Sequence, residues 1–149
     1  MDKKVSRDDR TTAMGLWTQA KTFASAADFL IGNGWKAPSD DPTYYLLGHA
    51  IELALKSFLR AKGKSLDELK GKGLRHDLSA ALKQAEAFDL RAYVDLSTEQ
   101  KAAIRVLSVY YVDKEFEYIV TGFKLLPTLE ILQECAKALI HGVQVVARQ

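Results

Sequence analysis

The segment from Asp41 to Lys62 constrains the fold more than any other part of the chain. Asp41-Pro42 reads as a helix start, a capping acid followed by proline at the first helical position, and Gly63 reads as the stop. On a wheel that advances ~100° per residue, Leu47, Ile51, Ala54, Leu55 and Phe58 form one apolar stripe, flanked by Leu46, Leu53 and Leu59. A helix that is apolar over most of its circumference has to sit at the centre of a bundle. Its remaining wedge carries Tyr45, His49, Glu52 and Lys56. That wedge must face a cleft, a partner chain or a thin strip of solvent.

The other segments supply the surrounding helices. Residues 11–31 place Ala13, Trp17, Ala20, Ala24, Ala27 and Ile31 on one stripe, widened by Leu16, Phe23 and Leu30, and Gly32-Asn33-Gly34 ends it. Ser65-Leu66-Asp67-Glu68 is a capping box on one short turn. Asp77 caps a helix reaching about Phe88, with Leu78, Ala81, Leu82 and Ala85 inward. Ser97 and Gln100 form a second capping box, opening a helix to about Val112 that carries Ile104, Leu107 and Tyr111 as core. Pro127 is expected in the first turn of a last helix reaching about Val146 on Leu129, Leu132, Cys135, Ala136, Leu139, Ile140 and Val143. No hairpin chemistry and no repeat is present. The expectation is an all-α compact helical bundle of four to five helices, with residues 1–10 a loose charged arm and 11–149 a single domain.

Composition narrows the setting. The 149 residues suit one core, and the net charge of +2 gives no whole-protein basic field to draw in nucleic acid. A lone cysteine, Cys135, cannot form an internal disulfide and fits a reducing compartment. The charged start Met1-Asp2-Lys3-Lys4 has no apolar run behind it, and no run approaches the ~20 residues that span a bilayer. The expected location is cytoplasmic, with no membrane association. No zinc spacing and no phosphate-cradling glycine loop occurs, so neither a metal nor a cofactor is expected.

Three places could carry chemistry. In the wedge on the central helix, His49 could exchange protons near neutral pH while Glu52 fixes its tautomer or charge. The bland alternative is a solvated face with a Glu52–Lys56 pair contributing roughly a few tenths of a kcal/mol. The second place is the long break at 113–126, where Asp113, Lys114, Glu115, Glu117 and Tyr118 set charges beside aromatics. The acids could act as bases and Tyr118 could stack on a nucleobase. The alternative is a structural plug at the end of the bundle. The third is Arg75-His76 before Asp77, which with Lys70 and Lys72 is the densest basic spot and could receive a phosphate. Simple capping by Asp77 is the alternative there. His141 falls on a polar face and is expected to be solvated, and Cys135 to be a buried, inert thiol.

The string His49-Ala50-Ile51-Glu52-Leu53-Ala54-Leu55-Lys56-Ser57-Phe58-Leu59, followed by Arg75-His76-Asp77-Leu78, resembles HEPN-domain proteins. So does the Tyr111–Gly122 stretch ahead of the last helix, and the likeness spans roughly residues 10–146. The resemblance implies a helical bundle that forms a homodimer. It further implies either a metal-independent ribonuclease of toxin–antitoxin and phage-defence systems or a non-catalytic module binding a nucleotide, RNA or a partner protein. Ribonuclease members carry an Arg followed by a His after four to six intervening residues. His49, His76 and His141 all lack an Arg at that distance upstream. Near the end of the penultimate helix, where the family places the motif, this chain has Asp113-Lys114-Glu115-Phe116-Glu117-Tyr118. Lys114 lacks the planar fork of Arg, and Tyr118 titrates far too high to replace a His base.

A binding module is therefore the first expectation, with Tyr45, His49, Glu52, Lys56, Arg75, His76, Asp113, Lys114, Glu115 and Tyr118 as ligand-binding candidates. A divergent HEPN nuclease or nucleotide-processing enzyme is the second, with His49, Glu52, Lys114 and Tyr118 as catalytic candidates, joined by His76. A scaffold with no ligand is the third. Geometry divides the first two: the enzyme needs the wedge and residues 113–118 on one concave surface.

Overall fold

A computed structural model describes residues 6–34, 36–71, 73–116 and 122–149. Among them the structure is helical throughout, with no strand. The helices are α1 (Arg7–Arg10), α2 (Ala13–Gly32), α3 (Asp41–Ala61), α4 (Leu66–Lys70), α5 (Leu78–Ala87), α6 (Thr98–Tyr111) and α7 (Leu129–Ala147), with a 3-10 turn at Leu90–Ala92. No described helix is long and apolar enough to cross a membrane.

The expected central helix is α3. It packs against α2, α4, α5, α6 and α7. Leu47, Ile51, Ala54, Leu55, Phe58 and Leu59 on it have no measurable exposure. Ala20 and Ala27 of α2 and Ala50 and Ala54 of α3 are fully buried. Small side chains let helix axes approach without leaving voids.

Helix starts follow the capping chemistry closely. The hydroxyls of Thr12, Ser65, Ser97 and Thr128 and the carboxylate of Asp77 each accept a backbone N–H one turn on. At Ser97 the box is complete, since Gln100 Oε1 also accepts from the Ser97 N–H at 2.9 Å. Two boundaries differ from expectation. Asp41 is the first residue of α3 and not its cap; Asp40 holds that position without a side-chain bond, and Ser39 Oγ accepts from the Asp41 N–H. Pro127 lies ahead of α7, whose cap is Thr128. The Pro127 carbonyl instead accepts from Tyr44 Oη at 2.6 Å, tying the start of α3 to the start of α7.

Residues 6–10, within the expected loose arm, form the turn α1, and it is anchored. Asp8 Oδ1 accepts from the Leu66 N–H at 2.7 Å, and Arg60 reaches the Asp8 and Thr11 carbonyls at 2.9 Å each. These bonds fasten α1 against the end of α3 and the start of α4.

Candidate functional site

Glu52 lies at the centre of α3 and is only 2 % exposed. A carboxylate there is costly unless its lone pairs are filled. They are filled from three elements. Lys56, one turn on, donates to Oε2 at 3.0 Å, and the His76 backbone N–H donates to the same oxygen at 3.0 Å. Tyr111 Oη, at the end of α6, donates to Oε1 at 2.9 Å. His76 Nδ1 lies 3.3 Å from both oxygens, and His49 Nδ1 lies 3.4 Å from Oε1 and 3.1 Å from Tyr111 Oη. Burial alone would raise the Glu52 pKa. The His49 contact, the charge and hydrogen bond of Lys56 and the charge of His76 outweigh it and bring the pKa down to about 2.

Local backbone geometry delivers these partners. His76 adopts φ +55°, a left-handed conformation rare for a residue with a side chain. That turn aims its N–H and its Nδ1 at the same carboxylate. The segment is held from the other side by Asp77, which caps α5 and accepts from Ser108 Oγ at 3.4 Å. Ser108 Oγ in turn accepts from the Ser79 N–H at 3.1 Å, fixing α5 to α6. Tyr111 can reach Glu52 only because residue 48 is glycine: a Cβ there would lie 2.7 Å from the Tyr111 ring.

The wedge is thus covered, and the solvated-face alternative does not describe it. Glu52 is buried, and the side chains of His49 and Lys56 keep 23 % and 13 % exposure. The Tyr45 ring is stacked on His49 at 5.7 Å and faces Tyr111 at 6.4 Å, while Phe23 of α2 meets His49 edge-on at 4.4 Å. Tyr45, His49, Glu52, Lys56 and His76 therefore converge, with Arg75 exposed next to His76.

The described part of the 113–126 break meets α3 at its start. Asp113 is exposed, Lys114 and Glu115 are half-buried, and Phe116 is stacked on Tyr44 at 5.9 Å. The N–H groups of Lys114 and Glu115 bond back to the Tyr111 and Tyr110 carbonyls, with Lys114 at φ +56°. Since Tyr44 precedes Tyr45, the break and the wedge are not at opposite ends of the bundle. Lys72, Glu117 and Tyr118 lie outside the described residues.

Tyr111 belongs to this site but reads in the sequence as a core residue. The usable signal was its phenol, which needs a polar partner once buried. Among the described residues no group of three or more His, Cys, Asp or Glu could hold a metal ion. Cys135 is buried, its thiol pushed up to about 12 chiefly by burial, which suits an inert group. His141 is exposed on the rim of a groove of about 670 Å³ between α2 and α7, which Trp17, Ala24 and Ala136 also line.

No family model, curated protein or solved structure matches the chain.

Proposed function

We propose that the chain is a non-catalytic, HEPN-like helical module that binds a phosphate-bearing ligand, a nucleotide or RNA, at the rim of the Glu52 cluster, and that it works as a homodimer in a toxin–antitoxin or defence setting. One observation carries the binding part: two partly exposed imidazoles, His49 and His76, anchored on a single buried carboxylate with Arg75 beside them. Imidazolium and guanidinium donors in one place suit an anion. The quoted residues of the HEPN-like string, His49, Glu52, Lys56 and His76, are the ones that meet in space, which supports the resemblance without deciding the family. Glu52 itself is a poor general base. Its lone pairs are occupied and its pKa is about 2, far below the range that abstracts protons near neutrality.

Titration with adenosine monophosphate against adenosine tests this reading. Binding of the nucleotide alone, weakened at least tenfold by Arg75→Ala with His76→Ala, is expected. Equal binding of both compounds, or of neither, would sink it. Light scattering at micromolar concentration tests the dimer.

The enzyme reading is favoured by the same pair of imidazoles, because a carboxylate that orients a histidine is a common support for acid–base work. RNA cleavage by the wild type, His49→Ala and Lys114→Ala separates the two. Activity lost in either variant with folding intact supports the enzyme; equal background in all three supports the binding module.

A further inference from the structure

We infer that both histidines are held with their proton on Nδ1, so that any phosphate bound at this rim is taken up together with a proton on Nε2. The inference rests on the phosphate-binding reading above and adds the protonation state on which that binding depends.

The hydrogen-bond geometry determines where each proton lies. An ionised Glu52 can only accept. The Tyr111 phenol has one hydrogen, and at 2.9 Å from Oε1 that hydrogen must lie between the two oxygens. Toward His49, 3.1 Å away, the phenol therefore offers lone pairs alone. His49 Nδ1 faces this oxygen and Glu52 Oε1, both acceptors, so it carries hydrogen. His76 Nδ1 faces the two carboxylate oxygens at 3.3 Å and carries hydrogen for the same reason. In each neutral ring Nε2 is then a bare lone pair, and neither Nε2 has a protein partner among the described residues. Both side chains keep a solvent-facing edge, 23 % for His49 and 27 % for His76.

An ionised phosphate oxygen is also only an acceptor and cannot bond to a bare lone pair. It can be bound only by the imidazolium form, which donates from Nε2. Every imidazole that engages the ligand therefore takes up one proton. Among the described residues, the charged or titratable groups in contact with the pair are Tyr45, Glu52 and Tyr111, with Lys56 on the same carboxylate and Arg75 and Asp77 flanking His76 in sequence. The ordinary ranges of those types lie well away from neutrality. Affinity should thus rise as pH falls from 8 to 6, by up to about tenfold per pH unit for each proton taken up. Tyr111 is a positioning residue here: it fixes the tautomer of His49 without meeting the ligand.

The test uses inorganic sulfate, whose charge does not change between pH 6 and 8, as the phosphate mimic. Long-range 1H–15N spectra of the free chain at pH 8 are expected to show protonated Nδ1 and bare Nε2 in both rings. Added sulfate at pH 7 should convert Nε2 to its protonated form, with affinity rising from pH 8 to pH 6. Tyr111→Phe should mix the tautomers of His49 and leave His76 unchanged. A hydrogen on Nε2 of either free neutral ring overturns the inference, as does sulfate binding that ignores pH. Absence of sulfate binding at pH 6 overturns it too, and nucleotide binding in the adenosine test would then survive on its own.

Discussion

The Glu52 cluster and the α2–α7 groove use polar residues in opposite ways. The groove encloses about 670 Å³, yet its charged and titratable side chains, Lys21, Asp28, Glu134, Lys137 and His141, all stand exposed. Two long-range bonds tie its walls together: Trp17 Nε1 donates to the Ile140 carbonyl at 2.7 Å, and Gln133 Nε2 donates to Asp28 Oδ1 at 2.8 Å. The cluster draws polar groups from three elements onto one buried carboxylate. Water screens the charges of the groove, so each contributes little. Around Glu52 water is excluded and every partner matters to the next. The presence of a cavity is thus no sign of where this chain concentrates its electrostatics.

Breaking the cluster should have the largest effect. Glu52→Ala leaves the Lys56 ammonium poorly solvated and unpaired, and urea denaturation should show a loss of about 3–5 kcal/mol. A loss under about 1 kcal/mol, the level of a surface pair, would erase the contrast. Acid should show the same feature. The Glu52 pKa is lowered on folding from 4.5 to about 2, so its contribution is present above pH 4.5 and lost as pH falls toward 2. The wild type should lose about 3 kcal/mol over that window, and Glu52→Gln should lack that step.

Gly48→Ala sharpens the comparison further. Its Cβ would displace the Tyr111 ring, and overpacking of this kind costs about 1–3 kcal/mol. Tyr111 fluorescence or ring NMR shifts should move with it. Trp17→Phe, which removes the bond from Nε1 to the Ile140 carbonyl, should cost about 1 kcal/mol in hydrogen bonding. Lys137→Ala on the groove rim should change stability by less than about 0.5 kcal/mol and leave nucleotide binding untouched. A large effect at Lys137 on either readout would make the groove the site.

The sequence carries most of the architecture. The central place of α3 follows from its nearly continuous apolar wheel, and the starts of α4, α5 and α6 from the capping side chains Ser65, Asp77 and Ser97. Proline signals were less dependable. Pro127 was free to sit before the cap because its carbonyl, not its ring, is what the bundle uses. At the site, Tyr45, His49, Glu52 and Lys56 were legible as one wedge because helical spacing alone groups them. The arrival of His76 was visible only as a nearby motif, since a left-handed φ at a histidine has no sequence signature. Tyr111 was hidden by its own spacing, which matches a core position, and by dependence on a glycine in another helix.

The reach of the Glu52 carboxylate along the chain has a kinetic consequence. His49 and Lys56 are neighbours within one helix, but His76 is 24 residues away and Tyr111 is 59. Contacts of long sequence separation close slowly, because the loop entropy is lost before any bond forms. A nascent chain that has completed α3 holds a half-sealed anion in what will become its interior. The docking of α6 seals it, so the native state should be gained late and lost first at that junction. Hydrogen exchange at the His76 amide would then report the earliest opening of the whole bundle.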